Sequence, residues 1–185
     1  MKAWGALLVV AIAGATFLGV GHSAFLALRY ERNALLDGEL WRALSAHVVH
    51  VSWAHLGVNL AVGAFVVALF GRHLGLAAVF LCAAGTSAGL FLFSLRVPWY
   101  AGLSGVLHGL IVYGALEAWR RDRRPLWLAA VAVVAVKVTV EQWKGAPESL
   151  AELIGAPVIV SAHLYGAVSG ALAFAILYRP SRSRL

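Results

Sequence analysis

Apolar residues fall in six stretches along the chain, at 4–28, 53–70, 74–95, 103–119, 126–140 and 158–178, with short polar turns between them. A membrane-crossing helix needs about 20 mostly apolar residues, and each stretch reaches or approaches that length. The expectation is an all-α integral membrane protein, a bundle of six transmembrane helices forming one domain over residues 1–185. The fifth stretch is the weakest, because Lys137 and Glu141 interrupt its end. The first imitates a secretory leader, with Lys2 ahead of an apolar run. It is too long for a leader core and ends at Leu28-Arg29-Tyr30 without a small-residue cleavage site, so a retained helix is expected.

Composition agrees with a lipid solvent. Hydrophobic residues make up 62% of the chain and charged residues 12%, against about 25% charged in soluble domains; mean hydropathy is +0.84. The single cysteine, Cys82, lies in an apolar run. That excludes a disulfide framework and a cysteine metal site and predicts a core residue. Basic residues set the orientation. With both termini in the cytoplasm, Lys2, Arg72, Arg120, Arg121, Arg123, Arg124, Arg179, Arg182 and Arg184 face inward against Glu117 and Asp122, while the outer charges cancel. The chain's net +7 then lies on the cytoplasmic side. The run Arg120-Arg121-Asp122-Arg123-Arg124 is a short turn between helices and reads as a topology signal, not a nucleic-acid surface.

In this topology the second, fourth and sixth stretches start at the same membrane face. His55 and Asn59 sit in the first turns of the second, Ser104 opens the fourth, and His163 lies early in the sixth. Polar groups at membrane depth are costly and face a bundle interior or a water-filled cavity. Four of them at one depth suggest a site. A serine hydroxyl is a weak nucleophile until a base takes its proton, and His163 has that chemistry. His55 and Asn59 are spaced i,i+4, share a helix face, and can donate to a developing oxyanion; the free amides at a helix start would add to this. Gly102, Gly105 and Gly109 near Ser104, and Gly166 and Gly170 beyond His163, let two helices pack closely. The alternative for Ser104 alone is a small packing residue, and for His55 or Asn59 a helix–helix hydrogen bond.

His108 shares a helix face with Ser104. No acid is placed to complete a triad: Glu117 is 13 residues past Ser104, about 20 Å along a helix, and neither Asp37 nor Asp122 lies in an apolar stretch. A Ser–His dyad is the expected arrangement. An aspartic intramembrane protease lacks its two aspartates, and a membrane zinc protease lacks a His-Glu-x-x-His pattern. No metal or other cofactor is expected. The outward cluster of His47, His50, His55, His108 and His163 keeps metal or haem ligation open as an alternative, as a transporter or channel also remains. His22 and His73 have no evident partners and read as structural.

These residues resemble the rhomboid family of intramembrane serine proteases. The matching elements are Trp41-Arg42 in the first outer loop, His55-x-x-x-Asn59, Gly102-x-Ser104-Gly105, and Ala162-His163-x-x-Gly166-x-x-x-Gly170. The resemblance implies Ser104 as nucleophile, His163 as general base, and His55, Asn59 and the Ser104 amide as oxyanion donors. It also implies that the Trp41-Arg42 loop lies partly in the outer leaflet. Many rhomboids carry a tyrosine four residues after the serine, stacked on the catalytic histidine; here the residue is His108. Gly-x-Ser-Gly-x-x-His-Gly is most similar to the rhombosortase branch. That branch implies partners that are exported bacterial proteins with a C-terminal sorting tail (a Gly-Gly motif, a transmembrane helix and a basic end), and a place in the inner membrane with the site opening to the periplasm. A non-proteolytic member of the family is a further alternative.

Overall fold

The computed structural model describes residues 3–178. The basic residues Lys2, Arg179, Arg182 and Arg184 lie outside that range. The first apolar stretch is two helices, α1 (Ala3–Val20) and α2 (His22–Leu28), not one. Between them Gly21 takes a φ of 95°, a backbone state that only glycine enters cheaply and that ends helical propagation.

The outer loop is ordered by elements too short to show hydropathy periods. These are β1 (Tyr30–Glu31), α3 (Arg32–Leu36) and α4 (Arg42–Ser45). Arg42 ties the loop down: its side chain donates to the carbonyls of Leu26 at 2.6 Å and Arg29 at 3.2 Å and meets Glu39 at 2.6 Å. Trp41 is largely exposed beside it, with its indole N–H toward the Ala27 carbonyl at 3.4 Å.

The chain then forms α5 (Trp53–Phe70), α6 (Leu76–Phe93), β2 (Trp99–Tyr100), α7 (Ser104–Asp122), α8 (Pro125–Lys144), α9 (Glu148–Ile154) and α10 (Val160–Leu177). β1 and β2 pair antiparallel, Tyr30 opposite Tyr100. This two-stranded ribbon departs from the all-α expectation, and it clamps the segment that delivers Ser104. The interruption expected in the fifth stretch is also absent. Lys137 and Glu141 lie inside α8 and satisfy each other at 2.6 Å, so the helix runs on to Lys144.

Among the described residues, five helices are long and apolar enough to cross a membrane: α1, α5, α6, α8 and α10. Their large outward residues, such as Leu8, Phe65, Leu92, Val136 and Ile176, are exposed, as lipid-facing side chains are. α7 carries Glu117, Arg120, Arg121 and Asp122 toward its end and stands in the middle of the bundle, packed by α5, α6, α8 and α10. Val66, Phe70, Cys82, Val106 and Leu110 belong to the core around it, and Cys82 is buried there as expected.

Candidate active site

The serine is delivered by a folded loop. Gly102 has a φ of 116°, and a Cβ there would fall 2.6 Å from the His55 ring, so glycine is required on both counts. Its amide donates to the Ala46 carbonyl at 2.8 Å. The buried Tyr100 hydroxyl donates to the Gly102 carbonyl at 2.6 Å and accepts from the Gly105 amide at 3.3 Å. Tyr100 thus braces both sides of Ser104. Its only sequence signal is an aromatic residue just ahead of the Gly-x-Ser-Gly run.

Helix α10 brings the histidine. A Cβ at Gly166 would strike the carbonyl of Gly105, and one at Gly170 the carbonyl of Gly109. Cβ atoms added on α7 would also be crowded, 2.8 Å from the Ala162 carbonyl at Gly105 and 2.6 Å from the Gly166 carbonyl at Gly109. The four glycines interleave, so α7 and α10 touch backbone to backbone. At that separation the Ser104 hydroxyl donates to His163 Nε2 at 3.1 Å.

The other face of His163 corrects an expectation. Its Nδ1 is 2.8 Å from Oε2 of Glu141, a buried carboxylate on α8. An acid does accompany the Ser–His pair, and it comes from the helix end that read as an interruption. A usable signal was present: Lys137 and Glu141 are i,i+4 in an apolar stretch, and charged groups at that depth face inward. The ring of His108 stacks on that of His163, centroids 4.2 Å apart and 16° from parallel. His108 Nδ1–H donates to the Ser104 carbonyl at 2.7 Å.

On the opposite wall, Ser52 caps α5 by accepting from the His55 amide at 3.1 Å, and its hydroxyl donates to the Ile154 carbonyl at 2.7 Å. This fixes His55 over the serine loop. The Asn59 amide donates to the His55 carbonyl of its own helix at 3.0 Å, which leaves its second N–H free. His55, Asn59, Ser104, His108, Lys137 and His163 line a cavity of about 160 Å³ bounded by α5, α7, α8, α9 and α10.

The remaining histidines lie outside that cavity. His50 packs edge-on against His55, centroids 5.0 Å apart, and burial in the outer loop pushes its pKa down to about 3. His47 Nε2 donates to the Ala83 carbonyl at 3.0 Å, and burial lowers its pKa to about 4. His22 stacks on Phe25, and His73 accepts from Arg72 at 2.9 Å. Ligand atoms of His108, Glu141 and His163 lie within 4.8 Å of one another, close enough to share a cation. However, both nitrogens of His163 are already engaged. Two nearly parallel rings also aim their in-plane lone pairs side by side, not at one point.

A half-buried serine held against a buried histidine, beside a cavity inside an apolar helical bundle, belongs to a multi-pass membrane protein. Residues 37–180 match the Rhomboid domain, and the chain belongs to the rhomboid family, whose members are intramembrane serine proteases. No curated protein matches it.

Proposed function

We propose that this chain is an intramembrane serine endopeptidase that cuts exported proteins in or near a C-terminal transmembrane sorting tail of the Gly-Gly type. The observation that carries the reading is the 3.1 Å contact between Ser104 Oγ and His163 Nε2. Ser104 Oγ adds to the scissile carbonyl carbon as its proton passes to His163 Nε2. The oxyanion is met by the Ser104 amide, free at a helix start, and by His55 and the spare N–H of Asn59. Collapse expels the amine, which takes the proton from His163. Water then repeats the sequence on the acyl-enzyme and restores Ser104.

The tail specificity is supported by space and by the octapeptide Gly102–Gly109. Beside Ser104, Trp99, Ala156 and Pro157 help line a second cavity of only about 30 Å³, which suits residues without side chains. Glycine also unwinds a helix readily and lets the backbone reach a recessed serine. The membrane reading is six spans, with α7 the sixth, in a bacterial inner membrane. The basic α7–α8 turn is cytoplasmic and the site is periplasmic, as the charge asymmetry favours.

The test is purified protein in detergent with a fluorophosphonate probe and a tailed transmembrane substrate. Labelling and cleavage are expected, and both should vanish in Ser104→Ala. His163→Ala should lose cleavage to the same extent, with the double variant little worse, because members of one unit are non-additive. Cleavage surviving in Ser104→Ala would sink the serine mechanism. Replacing both glycines of the tail by leucine should suppress cutting; equal cleavage would leave a rhomboid protease of broader substrate range.

A further inference from the structure

We infer that Glu141 is a positioning residue for His163, making the site a serine–histidine–glutamate triad whose acid is itself held by Lys137. The inference rests on the catalytic reading of Ser104 and His163. An ionised carboxylate inside a membrane bundle is expensive unless each oxygen has a partner. Here Oε1 accepts from Lys137 Nζ at 2.6 Å and Oε2 accepts from His163 Nδ1–H at 2.8 Å. An ion pair with Lys137 alone would not need the second contact. Among the described residues no other carboxylate bonds to His163.

The geometry has a specific chemical consequence. A neutral imidazole carries its proton on one nitrogen only, and the partner of that nitrogen decides which. Glu141 is an acceptor, so the proton sits on Nδ1 and the Nε2 lone pair faces Ser104, as a general base requires. The carboxylate also lies beside the positive charge that appears when Ser104 gives up its proton. Lys137 can only donate, so whatever side chain stands at position 141 must turn an acceptor toward it.

That asymmetry predicts what Glu141→Gln does. The new amide must offer its oxygen to Lys137, so its NH₂ faces His163 Nδ1 and forces the proton onto Nε2. The base then points its N–H at the serine. In Lys137→Leu, Glu141→Gln, the amide is free to turn and offer oxygen to His163, which returns the productive tautomer. A purely structural role for Glu141 predicts no such recovery, since the second substitution only removes another contact.

The experiment uses the full chain in detergent and the tailed substrate. Glu141→Gln should lower kcat by about 10²–10⁴-fold with KM little changed, by analogy with acid-to-amide changes in serine protease triads. The double variant should recover at least roughly tenfold of kcat, an effect of about 1.4 kcal/mol on the barrier. ¹⁵N-histidine NMR supplies a readout that does not depend on turnover: His163 should be the Nδ1–H tautomer in the wild type and in the double variant, and Nε2–H in Glu141→Gln. Wild-type kcat in Glu141→Gln, a double variant no faster than the single one, or an Nε2–H wild type would each overturn the inference. None of those results touches the Ser104→Ala test, whose failure would instead overturn the protease reading and leave the tautomer measurement standing.

Discussion

His108 and His163 lie face to face, ring centroids 4.2 Å apart and planes within 16°, although 55 residues separate them in the chain. The contact covers one face of the His163 ring, while Ser104 and Glu141 hold its two nitrogens at the edge. One ring nitrogen of His108 is committed to the Ser104 carbonyl of its own helix, which makes a flat stacking surface its main contribution. An aromatic pair contributes about 0.5–1.5 kcal/mol beyond area burial. His108→Phe and His108→Tyr should therefore keep kcat within roughly tenfold of wild type, while His108→Ala falls further. Complete loss of cleavage in both ring variants would instead assign His108 a polar role toward substrate.

The oxyanion wall makes a different prediction. A donor that acts on charge present only in the transition state affects turnover more than binding. Losing one costs roughly 10²–10³ in kcat where no other donor compensates. Asn59→Ala should show the larger effect, since its spare N–H has no competing partner in its own helix. His55→Ala should also loosen the Gly102 loop, whose backbone lies against the ring, and so lower thermal stability. Steady-state kinetics and melting curves on the two variants separate these outcomes, and normal turnover in the double variant would make both residues structural.

Gly166→Ala and Gly170→Ala should each destabilise the protein. The added methyl would meet the carbonyls of Gly105 and Gly109 on the facing backbone, which cannot rotate away as a side chain can. Overpacking typically costs about 1–3 kcal/mol. Separation of α7 from α10 would also lengthen the Ser104–His163 contact, so fluorophosphonate labelling should drop along with the melting temperature. A stable Gly166→Ala variant with normal labelling would contradict the close packing.

His47 should give the folded state an acid-side weakness. Burial lowers its pKa to about 4, against an ordinary value near 6.5, and its Nδ1 is buried without a partner. Between those values the unfolded chain binds a proton that the folded chain refuses, so stability falls as pH drops from about 6.5 toward about 4. His47→Gln keeps a donor for the Ala83 carbonyl and removes the titration. Melting temperatures across that range should fall less steeply in His47→Gln than in wild type, and identical slopes would refute the assignment.

Much of this was legible in the chain because its causes are local. Six apolar stretches, the face-sharing pairs His55/Asn59 and Ser104/His108, and the small residues flanking Ser104 and His163 follow from residue spacing and from the cost of exposing polar groups to lipid. Where the sequence reading failed, the deciding contact came from elsewhere in the fold. The two-residue pairing of Tyr30 with Tyr100 is too short to carry a hydropathy period. Tyr100 became a brace for Ser104 only when its loop folded back. Glu141 is the sharpest case. As sequence it was a charge spoiling the end of a helix: its i,i+4 spacing with Lys137 turns it toward the bundle interior but does not say which neighbouring helix it meets. Packing against α10 decided that, and only then did the carboxylate meet His163 22 residues further along the chain. Composition and periodicity determined that a serine and a histidine would share one depth in a membrane bundle; tertiary packing decided which acid stands behind them.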